Sequence, residues 1–122
     1  MKNPVSIKKI LMILILLMGI SLNSVAMAAQ PQIVLFCSSW NLKCRDARKA
    51  CSNAAQDLGL KFVDLDIDKA SSQQKANELG VNIPNSIPYI YVFDNKGRLV
   101  KEKLYRGESA QSLRQELSQL RL

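Results

Sequence analysis

The 122-residue chain contains no histidine. That excludes every catalytic arrangement that uses imidazole as general base, serine triads included, and removes the commonest metal ligand. No metal and no cofactor is expected. A dense basic stripe with interleaved aromatics is also lacking. The chain carries 17 Lys and Arg against 10 Asp and Glu, a formal net charge of +7. Its positive residues are nonetheless scattered, and only Lys43, Arg45, Arg48 and Lys49 form a tight group. Nucleic-acid binding wants a concentrated patch, so that class is set aside and the group reads as a solvated helix face. Long apolar runs are missing too. The uninterrupted one, residues 10–22, has 13 residues, against the roughly 20 of a membrane-crossing helix. There is no internal repeat and no low-complexity segment.

What is present begins with that run. Lys8 and Lys9 precede it, Asn23 and Ser24 end it, and Ala26-Met27-Ala28 puts small residues at the two positions a signal peptidase reads. A basic n-region, an apolar h-region and an A-x-A site make up a secretory signal peptide. The expected division is a signal peptide over 1–28 and one domain over 29–122, a normal domain size. An uncleaved N-terminal membrane anchor is the alternative. With cleavage no stable membrane span remains, and the destination is the periplasm or an equivalent extracytoplasmic lumen. No cysteine directly follows Ala28, which argues against a lipoprotein, and no twin arginine precedes the h-region. Losing Lys2, Lys8 and Lys9 leaves 14 basic and 10 acidic residues, a net charge of +4.

Cys37, Cys44 and Cys51 survive cleavage. In an oxidising compartment an odd count leaves one thiol unpaired or bonded to another chain, so a covalent dimer is open. Geometry sorts the pairs. On one helix, Cys44 and Cys51 are separated by about 10.5 Å of rise, beyond the roughly 7 Å between Cα atoms that a disulfide tolerates. Cys37 with Cys44 spans the turn and is a plausible bridge. Cys37 with Cys51 is possible as well, but requires Cys51 to face the strand.

The hydrophobic pattern supplies the elements. Residues 33–36, IVLF, read as a short buried strand, followed by a polar turn containing Trp40. From 42 to 58, positions 44, 47, 51, 54, 55 and 58 form one face of an amphipathic helix. Asn41 is the expected N-cap, accepting the amide hydrogen of Lys43 or Cys44, and Gly59 is the stop. Cys51 lies deep on the apolar face, where a free cysteine packs as a small hydrophobe. Residues 60–67 alternate as a second strand, 68–79 form a short helix closed by Gly80, and 89–93 with 98–104 form a hairpin around Asp94-Asn95-Lys96-Gly97. Ser109 can cap a last helix with Ala110, Leu113, Leu117 and Leu120 inward. The order β-α-β-α-β-β-α makes an α/β sandwich on a central mixed sheet.

That order, with a tryptophan turn before the first helix and Ile87-Pro88 before the hairpin, resembles the thioredoxin fold from about residue 32 to 120. Leu65-Asp66-Ile67-Asp68 resembles the family's strand end. Ile87-Pro88 matches its Ile-Pro, whose proline is cis and faces the active cysteines. The residues 93–97 match its hairpin, and 107–117 match the glycine and terminal helix. Two departures stand out. Thioredoxins carry Trp-Cys-x-x-Cys, whereas here Trp40 is followed by Asn41 where the attacking cysteine belongs, and Cys44 occupies the resolving position. Leu35 replaces the buried aspartate that assists proton transfer. The segment between Gly80 and Pro88 is also about two or three residues longer than is usual in the family it resembles. An attacking thiolate and a resolving thiol are both needed for the ordinary reductase reaction, so that route is closed.

Two readings remain. In the first, Cys37 and Cys44 form an atypical redox pair acting on protein thiols or disulfides. Cys44 is favoured as a thiolate by the helix N-terminus and by Lys43 and Arg45, and either cysteine can resolve a mixed disulfide formed at the other. The corresponding alternatives are a static staple, two merely buried thiols, or a tether from Cys44 or Cys37 to another chain. In the second, Trp40, Asn41, Ile87 and Pro88, with Tyr89, build a groove that holds an extended peptide without chemistry.

Overall fold

The computed structural model describes residues 30–122. The signal-peptide reading of 1–28, with its A-x-A site, falls outside the described residues. Within them the elements run β1 (Gln32–Cys37), α1 (Lys43–Leu58), β2 (Lys61–Asp66), α2 (Ala70–Leu79), β3 (Tyr89–Phe93), β4 (Leu99–Leu104) and α3 (Ala110–Ser118). No helix among them is long and apolar enough to cross a membrane.

The strands form one mixed sheet in the order β2-β1-β3-β4. β1 pairs parallel with β2 and antiparallel with β3, and β3 pairs antiparallel with β4. A central strand covered on both faces needs apolar residues at successive positions rather than alternate ones, and the run from Ile33 to Cys37 meets that need. Ile33, Leu35 and Cys37 face one core with Ile90 and Val92, covered by α1 and by Leu113 and Leu117 of α3. Val34 and Phe36 face the other with Tyr91 and Phe93, covered by Ala76 of α2. Phe36 and Tyr91 meet edge to face with ring centroids 5.6 Å apart, an arrangement that adds about 0.5–1.5 kcal/mol to their burial. The edge strand β4 carries Lys101, Glu102 and Lys103, charges that discourage a further strand from pairing there.

Helix α1 approaches the sheet through small side chains: Cys44, Ala47, Ala50, Cys51, Ala54 and Ala55 are its buried residues. Ala50 belongs to this face although the expected stripe omitted it, because a buried helix face is wider than a single i, i+3/i+4 line. Gly59 ends the helix in the left-handed region at φ 68°. There the amide of Leu60 reaches the carbonyl of Ala55 at 2.8 Å, closing the turn as a Schellman motif. Helix α2 starts two residues later than the pattern suggests. Asp66 holds the chain first: its side chain accepts the Asp68 amide at 2.9 Å and its carbonyl the Lys69 amide at 3.1 Å, and Lys69 is still extended. Ser109 caps α3 as expected, accepting the Ser112 amide at 3.1 Å.

Candidate functional site

β1 delivers Cys37 at its last position and α1 delivers Cys44 at its second, so the connecting turn sets their separation. Their Cα atoms are 5.7 Å apart and the two sulfurs are bonded, a Cα separation in the ordinary range for disulfides. Both residues have zero exposure. Asn41 shapes the turn. Its side-chain oxygen accepts the Lys43 amide at 2.9 Å and its carbonyl accepts the Cys44 amide at 3.1 Å. The helix boundary itself falls at Leu42, already in helical geometry and without a side-chain cap. Asn41 therefore satisfies an orphan amide as expected, but one residue upstream of the formal cap position.

The sheet register places the remaining parts. Cys37 pairs with Asp66 of β2 on one side. On the other, Phe36 pairs with Tyr89 of β3, so one step further along each strand Cys37 faces Pro88. The Ile87–Pro88 peptide is cis, Pro88 is buried, and its carbonyl accepts the Tyr105 amide at 2.8 Å. Ile87 packs against both cores. The tyrosine hydroxyls are tied down: Tyr89 donates to Glu102 at 2.7 Å and Tyr91 to the carbonyl of Asn82 at 3.0 Å.

Trp40 and Leu42 stand out from this packed base, 66% and 90% exposed. The indole N–H of Trp40 donates to Asp68 at 3.0 Å, so the ring is steered toward the β2–α2 connection. Of the expected site residues, Cys37, Cys44 and Ile87 share one core cluster, with Pro88 opposite Cys37. Trp40 and Asn41 belong to the turn above, and the contact found for the indole is with Asp68. The link from Trp40 to Asp68 has no sequence signal beyond the position of Asp68 at a strand end.

Leu35 is fully buried in the cluster of the two bridged cysteines. The acid nearest it in register, Asp64 of β2, is paired with Arg48 at 2.7 Å on the half-exposed edge. Among the described residues the buried carboxylate is Asp94, and it sits in the β3–β4 turn at the far end of the sheet. Among the described residues no buried carboxylate therefore lies beneath the bridge. Cys51 is the unpaired cysteine and is buried. Its thiol is pushed up to about 12, first by burial and then by the carboxylates of Glu108 and Asp64. It offers no exposed sulfur for a bond to a second chain.

Ser38 is the residue that pattern reading missed. It is fully buried, its amide donates to Cys44 Sγ at 3.4 Å, and its hydroxyl has no hydrogen-bond partner. A serine after a strand reads as turn, and nothing in the sequence distinguishes it from Ser39.

Comparison with known proteins agrees with this geometry at the level of fold. A point mutant of thioredoxin from Halobacterium salinarum superposes with a TM-score of 0.60 at 18% identity over 80% of each chain. Thioredoxin O2 from Arabidopsis thaliana in its oxidised state gives 0.56 at 20%, covering 84% of this chain and 88% of that one. A chain from a structure concerned with thiol resolution in a yeast mitochondrial 1-Cys peroxiredoxin gives 0.57 at 15%, covering 82% and 88%. The fold is thioredoxin-like. No family model matches the sequence, and no curated protein matches it.

Proposed function

We propose that this chain is an exported thioredoxin-fold protein whose Cys37–Cys44 bridge exchanges with protein thiols by an atypical route, without a Cys-x-x-Cys dithiol. The observation that carries this reading is the position of the bridge. It joins the end of β1 to the first turn of α1, directly opposite Pro88. A thiolate of a partner protein attacks one sulfur of the bridge and forms a mixed disulfide, and the other sulfur leaves with the electron pair. The partner's second thiolate then attacks its own sulfur in that mixed disulfide. The partner becomes a disulfide, and Cys37 and Cys44 are left as a dithiol carrying its two electrons. Because both sulfurs are buried, attack requires displacement of the turn over them, so exchange is slow beside that of an exposed Cys-x-x-Cys. Export rests on the basic, apolar and A-x-A segments of residues 1–28, with a mature N-terminus at Ala29 and delivery to the periplasm or an equivalent lumen. The test is thiol counting on the native mature protein before and after mild reductant. The reading expects only the buried Cys51 thiol, silent until unfolding, before reduction. Two further thiols should react after it, both returning to the bridge on reoxidation. A bridge that opens only in denaturant contradicts it.

The zero exposure of both sulfurs, set beside the exposure of Trp40 and Leu42, favours a second reading: a redox-inert docking module with a structural staple beneath. It expects extended peptides to bind with equal affinity whether the bridge is open or closed, and Trp40→Ala to weaken that binding.

A further inference from the structure

Resting on the proposed exchange at Cys37–Cys44, the arrangement around Ser38 addresses which sulfur is attacked. Ser38 follows Cys37 directly, yet its amide donates to the sulfur of Cys44, six residues away, at 3.4 Å. The same residue carries the one side-chain polar atom among the described residues that is buried with no partner. A serine hydroxyl rotates freely and can donate or accept, and a buried one left without a partner is rare in native proteins. In the bridged state both sulfurs are neutral and bonded to each other, which makes them poor acceptors. When the bridge opens, the departing sulfur becomes an anion and accepts strongly.

We propose that Ser38 is a positioning residue that makes Cys44 the leaving sulfur, so that the incoming thiol attaches to Cys37. The incoming thiolate forms a bond to Cys37 Sγ as the Sγ–Sγ bond breaks. The electron pair passes to Cys44 Sγ, where the Ser38 amide already points and where the hydroxyl finds its partner. Cys44 also lies in the first turn of α1, where the helix field favours negative charge. Cys37, at a strand end, lacks this help. Ser38 thus stabilises the open state selectively and makes the bridge easier to reduce.

The test uses the folded mature protein and glutathione as the probe. Trapping the mixed disulfide by acid quench and mapping it by mass spectrometry should place glutathione on Cys37 in the wild type. Ser38→Ala keeps the backbone amide and removes only the unpartnered hydroxyl, so the bridged protein should remain folded and at least as stable. Its equilibrium constant for reduction by glutathione should fall about tenfold, as expected for one hydrogen bond to a charged acceptor. Ser38→Thr, which keeps the hydroxyl, should recover most of that loss. Glutathione on Cys44, or an equilibrium constant unchanged by Ser38→Ala, overturns the assignment while leaving reversible exchange intact. A wild-type bridge that glutathione cannot open in the folded protein overturns both.

Discussion

At the hairpin end of the sheet, Asp94 is 2% exposed and surrounded by donors. The amides of Lys96 and Arg98 and the guanidinium Nε of Arg98 each reach it at 2.9 Å. At the opposite end Ser38 is buried just as fully, beside the bridged sulfurs, and its hydroxyl reaches nothing. Both ends bury a polar group, and only one satisfies it. Asp94 is a structural centre: its donors pin a tight turn, and they hold its carboxyl below the ordinary 3.8, the Arg98 amide contributing most. An unsatisfied buried hydroxyl instead costs about 1–3 kcal/mol. On the proposal above, the open state of the bridge uses that hydroxyl, whereas every donor around Asp94 is already engaged in the one state of the turn.

The largest expected effect comes from making the turn end resemble a working dithiol. Asn41→Cys should raise disulfide exchange by about tenfold or more, since a thiol at a helix N-terminus is a thiolate for a far larger fraction of the time at neutral pH. Once the Cys37–Cys44 bridge is reduced, Cys44 is in place three residues on to resolve it. No gain in exchange would mean that the end opposite the hairpin is as static as the hairpin itself.

Breaking the satisfied centre should have the converse signature. Asp94→Asn removes the charge that three donors address, so it should lower the unfolding midpoint and leave exchange at Cys37–Cys44 unaltered. Because the folded carboxyl lies below 3.8, its contribution is present above that pH and is lost as pH falls below it. Urea unfolding should show the wild-type advantage shrinking as the solution is acidified past that point. An advantage independent of pH would remove the charge from the explanation.

Cys51 should have the smallest effect of the three. It packs in the same core as the bridge but takes no part in it, so Cys51→Ala should cost about 1 kcal/mol, the usual scale of a single substitution. Alkylation of Cys51 should wait for unfolding. Since burial raises the thiol from 9.0 to about 12, its stabilising share is complete below pH 9 and declines as pH rises from there toward 12. Rapid alkylation in the folded protein would contradict this placement.

How much of this is legible in the sequence differs between the two ends. The element order, the α/β sandwich and the buried place of Cys51 follow from periodicity, because burial on a sheet or helix leaves a period in the sequence. Helix geometry excludes only the Cys44–Cys51 pair, and the structure decides for Cys37–Cys44 over Cys37–Cys51. The hairpin turn is legible for a similar reason: Asp94 and Gly97 are turn chemistry with a local mechanism. The start of α2 is not, because the Asp66 turn competes locally with the helix. Ser38 is not legible at all. Its role depends on a sulfur six residues away, and the tie from Trp40 to Asp68 spans 28 residues. Contacts of that kind are made by the fold rather than by neighbouring sequence.

The claim that Cys37 and Cys44 form a reversible couple is tested most directly by equilibrating the folded mature protein in graded thiol–disulfide buffers. The two redox forms are counted after alkylation while circular dichroism follows the fold. A reversible couple gives one two-electron transition between about −120 and −270 mV with the fold retained throughout. A bridge that stays closed to below about −300 mV, or opens only as the fold is lost, is a structural staple and contradicts it.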